Sequence, residues 1–291
     1  MSDPTSSPSG NGAILEVGSV HKTFGGIQAV RGASFDVQRG SITALIGPNG
    51  AGKTTLFNIV TGFYRPDSGR IAYDGQSIFG ARPYVIARKG MVRTFQITKA
   101  LAAMSVLDNM MLGAAAQPGE HLPTLLGRPH AGRKREAEVR EQAMELLGTF
   151  NLDKKADDYA GTLSGGQRKL LELARALMPE PRMVLLDEPM AGVNPTLGRR
   201  LLEHMEQLRS DHGVTFLFVE HDMDVVMNHS DEVVVMGQGQ TILVGTPEEV
   251  RSDQRVIDAY LGGGSGASAD EAEVQAAIEG ERAQEEPSDA G

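Results

Sequence analysis

The chain has 291 residues, enough for one large or two small domains, and its apolar (40%) and charged (23%) fractions are ordinary for a globular protein. It contains no Cys, which excludes disulfides, thiolate metal sites, iron–sulfur clusters and cysteine nucleophiles. It also lacks Trp and has few aromatics, which speaks against stacking platforms for single-stranded nucleic acid. Of the net charge of −10, residues 262–291 carry −7 and residues 1–12 carry −1, so residues 13–261 stand at −2 and show no basic footprint for nucleic acid.

Residues 1–12 are Ser-, Pro- and Gly-rich, residues 262–291 are rich in Gly, Ala and acids, and both read as disordered tails. Between them, 13–261 reads as one folded region without an internal repeat. No apolar run approaches the ~18–20 residues that a membrane helix needs, and the N-terminus has no basic segment leading into an apolar one. The expectation is a cytosolic chain whose association with a membrane comes through a partner.

Ala13–Val17 and Ala33–Val37 alternate with period two, as strands with one wet face do. Ser41–Ile46 is a denser run that ends in Gly47-Pro48-Asn49-Gly50-Ala51-Gly52-Lys53-Thr54, with Thr55 following. This is G-x-x-x-x-G-K-[ST] between a strand and a helix. Glycines let backbone N–H groups turn inward around a phosphate chain at the positive end of a helix. Lys53 then reaches the β- and γ-phosphates and the Thr54 hydroxyl is a Mg²⁺ ligand.

From Phe95 to Gly161 the pattern is mostly helical and reads as a subdomain inserted into an α/β core. Met104, Val106, Leu107, Met110, Met111 and Leu112 suit either a docking surface or packing within that subdomain. Gln117–Gly132, with three Pro and three Gly, reads as a loop between helices, and Arg133–Phe150 as an amphipathic helix. Its basic start, Arg133-Lys134-Arg135, suits a solvated helix face better than lipid head groups, because Glu136 and Glu138 follow.

Leu163-Ser164-Gly165-Gly166-Gln167 opens a further helix with a wide apolar face, with Ser164 as N-cap. It is a second anion-binding helix start, and one nucleotide does not need two from the same subunit. Ser164 and Gly166 are therefore expected to serve a nucleotide held by another copy. Met183–Leu186 is a continuous apolar strand that delivers Asp187 and Glu188 to its C-terminal end, where ligands of open α/β sheets bind. Asp187 suits Mg²⁺, directly or through water, and Glu188 suits proton abstraction from an attacking water. Thr196–Arg209 reads as a helix, and Val214–Val219 and Glu232–Met236 as buried strands.

The sequences GPNGAGKT, LSGGQ and VLLDEP together resemble the ATP-binding subunit of an ABC transporter, over roughly residues 13–261. The resemblance implies a P-loop (RecA-like) ATPase core with an N-terminal antiparallel β subdomain and an inserted helical subdomain at about 97–178. It places three further residues. Phe24 falls where the family stacks an aromatic ring on adenine, Gln96 at its glutamine loop as a Mg²⁺ or water contact, and His221 at its switch histidine. Each is weak alone, since a lone Phe is more often core and a His ending a strand is more often a satisfied polar residue. The family usually has Asp where this chain has Asn194, which puts contacts through that carboxylate in doubt.

Gly-x-Asn-Pro at 192–195, Arg-Thr-Phe-Gln at 93–96, Glu-His-Asp-Met at 220–223 and the ending 255–262 are similar to the ATPases of branched-chain amino-acid importers. Urea and short-chain amide importers have closely similar subunits. The resemblance implies ATP and Mg²⁺, hydrolysis by Glu188, His221 and Gln96, and a head-to-tail pair in which Ser164, Gly165, Gly166 and Gln167 meet the nucleotide of the partner ATPase. It further implies permease subunits in the membrane, a solute-binding protein reached indirectly, and a place on the cytoplasmic face. A non-transport ABC-type ATPase is disfavoured by the single copy of each motif and the absence of heptads. The signature with His221 leaves little room for an ordinary P-loop kinase or GTPase, and Glu188 with His221 speaks against a non-catalytic nucleotide-binding regulator.

Overall fold

Alternating apolar residues and a Gly-Gly turn build the first hairpin. β1 (Ala13–Phe24) and β2 (Ile27–Gln38) pair antiparallel across Gly25 and Gly26, whose φ values of 51° and 94° are left-handed. The computed structural model describes residues 12–94, 102–114 and 129–262. They fall into two compact units, one from residues up to 83 and from 224 onward, the other from 84–223.

In the first unit β3 (Ile42–Ile46), buried at every position, leads through the glycine loop into α1 (Lys53–Val60). β4 (Ser68–Tyr73) and β5 (Gln76–Ser77) complete an antiparallel sheet in the order β2-β1-β4-β5. The expected strand over 13–17 is thus part of a longer one. Its alternation is broken by a register shift between Ala13 and Leu15, where Ile14 and Leu15 are both buried.

The second unit opens with α2 (Pro83–Arg88). β6 (Met91–Arg93) is followed by α3 (Val106–Met111), α4 (Pro129–Thr149), α5 (Gly165–Leu177), β7 (Met183–Asp187), α6 (Pro195–His212) and β8 (Thr215–Val219). β7 lies between β6 and β8 and is parallel to both. All five residues of β8 and the first four of β7 are buried, as the continuous apolar runs require. Helices α3, α4 and α5 pack on one another.

Two expectations change here. Helix α4 starts at Pro129, inside the expected loop, because Pro has no N–H to lose in a first turn and its φ is already helical. The rest of that loop, up to residue 128, lies outside the described residues. Val106, Leu107 and Met110 are core, at 0–3% exposure, whereas Leu112 is 53% exposed and Met104 and Met111 are half-buried. Val106, Leu107 and Met110 therefore pack within the subdomain, while Leu112 stays at its surface. In the basic run, Lys134 and Arg135 are solvated and both reach Glu138 along the helix.

The chain then returns to the first unit through α7 (Met223–His229). β9 (Glu232–Gly237) pairs parallel with β3 and antiparallel with β10 (Gln240–Gly245). Helices α8 (Pro247–Ser252) and α9 (Gln254–Gly262) follow, α8 opened by a Thr246/Glu249 capping box. Among the described residues no helix is long and apolar enough to cross a membrane.

Candidate functional site

The loop between β3 and α1 has little steric latitude. Gly47 has φ 151°, and a Cβ there would lie 2.2 Å from the Met236 carbonyl oxygen; at Gly52, with φ 91°, it would lie 2.5 Å from that of Ala29. Only glycine lets the backbone run this close to its neighbours. Gly50 is also left-handed, at φ 73°. The Lys53 ammonium folds back over the loop and donates to the carbonyls of Gly47 (2.8 Å) and Pro48 (2.9 Å). Thr54 is exposed on the first turn of α1, while its neighbour Thr55 is buried and Ala51 is 2% exposed. Pro48 accepts from Ala51 N–H at 3.2 Å, which closes the turn containing Asn49. A cationic Nζ and a helix start at a glycine-lined loop suit a polyanion.

Phe24 departs from its expected place. Its ring is 2% exposed and packs edge-on against Tyr64, with centroids 5.3 Å apart, while the Lys22 Nζ lies 4.7 Å from the ring centroid. A ring buried this way presents no face to a ligand. The strand ends here and its last residue turns inward, which the family position alone does not reveal.

In the second unit the parallel strands bring Arg93, Asp187 and His221 to one edge. Arg93 Nη2 donates to Asp187 Oδ2 at 2.7 Å, with the two side chains 13% and 30% exposed. Glu188 is exposed and sits just beyond the strand with φ 46°; its N–H donates to the Val219 carbonyl at 3.0 Å. The two neighbouring acids thus diverge, one paired and one free to meet solvent. Lys169 of α5 donates to the carbonyls of both Glu188 and Pro189 at 3.1 Å, and burial pulls its pKa down despite Glu172, Glu220 and Glu188 nearby. The His221 side chain is 69% exposed. Gln96 lies outside the described residues.

Ser164 caps α5. Its Oγ accepts from Gln167 N–H at 3.3 Å, and Gln167 Oε1 accepts from Ser164 N–H at 3.0 Å. Among the described residues no acceptor takes the Ser164 hydroxyl proton. Gly165 is exposed, but Gly166 is buried, and a Cβ on it would meet Leu197 Cδ2 at 1.8 Å. Asn194 caps α6 by accepting from Leu197 N–H at 3.0 Å. Asn and Asp cap equally well, so the unusual residue keeps the local structure. A cavity of about 380 Å³ lies beside these two helix starts, lined by Phe150, Ser164, Gln167, Asn194, Leu197 and Arg200 among others. Glu220, which sequence reasoning passed over, is buried at the end of β8 beside this machinery. The only signal for it was an acid directly after an apolar run.

The family model described as "ABC transporter" matches residues 30–191, and that of "Branched-chain amino acid ATP-binding cassette transporter" matches residues 240–265. The chain is 44% identical over 249 residues to the high-affinity branched-chain amino acid transport ATP-binding protein BraF of Pseudomonas aeruginosa. That alignment covers 86% of this chain and 98% of the relative. It is 41% identical to the probable branched-chain amino acid transport ATP-binding protein LivG of Archaeoglobus fulgidus, covering 86% and 95%. Among solved structures it is similar to an ADP conformation of an ATP-binding cassette of an ABC transporter, with TM-score 0.76, 40% identity and 86% and 99% coverage. A nucleotide-free cassette matches with TM-score 0.75, 39% identity and 85% and 98% coverage. With the glycine loop, the capped signature helix and the two adjacent acids in place, the chain belongs to the ABC transporter family as one of its ATP-binding cassettes.

Proposed function

We propose that this chain is the ATP-hydrolysing subunit of an importer that takes up branched-chain amino acids. The cassette spans 13–261 with its helical subdomain at about 97–178, and it works on the cytoplasmic face of a membrane beside permease subunits. A second ATPase subunit, identical or paralogous, completes the pair. The observation that carries the reading is the glycine loop. Its backbone path is enforced by contacts that no Cβ tolerates, and it ends in Lys53 at a helix start.

Lys53 binds the β- and γ-phosphates, trading its carbonyl partners for phosphate oxygens, and residues 47–55 cradle the chain. Hard oxygen donors, the exposed Thr54 hydroxyl and the Asp187 carboxylate, suit Mg²⁺. When bound, Mg²⁺ neutralises phosphate charge as it develops. Glu188, exposed just beyond β7, takes the proton of the attacking water. His221 donates to the phosphate as charge builds on it. Ser164, Gly165, Gly166 and Gln167 face the nucleotide of the opposing subunit. Gln96, outside the described residues, would contact Mg²⁺ or water, as the family resemblance implies.

Glu188→Gln retains ATP binding and loses roughly 10²–10⁴-fold in turnover, the usual effect of removing a general base. Lys53→Ala weakens ATP binding itself. With its permease and solute-binding partners in proteoliposomes, the chain drives ATP-dependent accumulation of labelled leucine. Uptake of urea or acetamide in preference to leucine would replace the substrate part of the reading.

A further inference from the structure

Among the described residues Glu220 is the one charged side chain in the buried core, with the residue 1% and its side chain 0% exposed. A carboxylate at that depth requires its oxygens to be taken up. Oε1 accepts from the backbone N–H of Met190 at 2.8 Å, and Oε2 accepts from the backbone N–H of His221 at 3.2 Å and stands 3.7 Å from His221 Nδ1.

These partners belong to two catalytic segments. The β7–β8 ladder ends at Asp187 opposite Val219, with one further bond from Glu188 N–H to the Val219 carbonyl. There the left-handed φ of Glu188 turns the chain away, closing a turn in which Ala191 N–H donates to the Glu188 carbonyl at 3.1 Å. Backbone pairing cannot follow that turn. The Glu220 side chain supplies the missing acceptor, adding a rung between the turn that carries Glu188 and the residue next to it, His221. Lys169 grips the same turn through the Glu188 and Pro189 carbonyls and is the cation facing Glu220. An apolar residue here would orphan two donors, and a glutamine can accept from one while turning its own N–H groups on the other.

We propose that Glu220 is a positioning residue for hydrolysis, fixing the turn that bears Glu188 relative to His221 through its two oxygens. The proposal rests on the roles given above to Glu188 and His221. Misplacing a catalytic group by about 1 Å costs on the order of 10²-fold in rate while leaving binding in place.

Glu220→Gln in the full chain tests this. The expected result is a fall of at least about tenfold in kcat with ATP affinity within about twofold of the parent, and a further loss of less than about twofold when the substitution is placed in a His221→Ala background, because coupled residues are not additive. Parental kcat in Glu220→Gln overturns the proposal. So does an equal loss in both backgrounds, or a loss of ATP affinity in step with kcat, since either marks a merely structural role. Parental turnover in both Glu188→Gln and His221→Ala overturns the reading of the site itself, and Glu220's role with it. Should Glu220→Gln not fold, hydrogen exchange on the parent chain decides. The Met190 and His221 amides are expected to be protected despite lying beyond the strands, and exchange of both at open-loop rates overturns the clamp.

Discussion

Arg93 Nη2 lies 2.7 Å from Asp187 Oδ2, so the C-terminal ends of two adjacent parallel strands are joined by an ion pair as well as by their ladder. The arginine is 13% exposed and the aspartate 30%, so neither charge is fully hydrated. Removing the arginine leaves a half-buried carboxylate short of a donor. Arg93→Met is expected to destabilise the chain by about 1–2 kcal/mol, less than a fully buried pair would lose because Asp187 keeps some solvent. The Arg93→Met/Asp187→Asn double substitution should cost less than the sum of the two. Urea denaturation of the four proteins measures the coupling, and strict additivity would show that the pair contributes nothing.

The two central glycines of the signature, adjacent in sequence, do different things. A methyl on Gly166 would sit 1.8 Å from Leu197 Cδ2, whereas at Gly165 the nearest atom is Arg168 Nη2 at 3.9 Å. Gly166→Ala should therefore destabilise the nucleotide-free chain by about 1–3 kcal/mol, as overpacked contacts do, and Gly166→Ala/Leu197→Ala should recover part of that. Gly165→Ala should leave stability within about 0.5 kcal/mol of the parent, because it meets open surface. Equal urea midpoints for the two single variants would remove the packing role of Gly166.

Met110 and Leu112 separate core from surface within one apolar stripe. Met110 is fully buried and Leu112 is 53% exposed just past the end of α3. Met110→Ala is expected to cost about 2–5 kcal/mol, the usual range for a truncated core side chain. Leu112→Ala should cost less than about 0.5 kcal/mol. Thermal denaturation of the isolated chain compares them, and a larger loss for Leu112 would reverse the assignment.

Strand-length apolar runs were legible because burial on both faces leaves no polar position, as in 183–186 and 214–219. The phosphate loop and the cap at Ser164 were legible because their chemistry is local: a glycine's φ or a side-chain oxygen three residues from an N–H. What the sequence hid is set by tertiary contacts. Nothing near Phe24 announces that Tyr64 closes over it, and nothing in Met104–Leu112 tells which residues of an apolar stripe α4 and α5 will cover. Glu220 was hidden for the same reason. Its partner Met190 is thirty residues away, and only the β7–β8 register brings that N–H within reach.

Glu172 makes stability depend on pH in a direction unusual for a carboxylate. Burial on α5 pushes its pKa up to about 7 from 4.5, outweighing the pull of Arg175 and Lys169. The native state therefore holds a proton that the unfolded chain has released between pH 4.5 and about 7. The folded protein binds more protons in that window, so Glu172 lowers stability progressively as pH rises through it and adds no further change above it. The full shift corresponds to at most about 3 kcal/mol, and nearer ~1 kcal/mol once solvent reaching a partly exposed side chain is counted. Glu172→Gln should remove this slope, gaining on the parent as pH rises from 4.5 to 7 and holding a constant advantage beyond. Half-buried His204, whose pKa burial lowers, contributes the opposite slope and cancels when the two proteins are compared. Urea midpoints measured at intervals from pH 4.5 to 8 give the difference curve, and a curve that is flat, or that favours the parent toward neutral pH, would show that the Glu172 carboxyl ionises as it does in the unfolded chain.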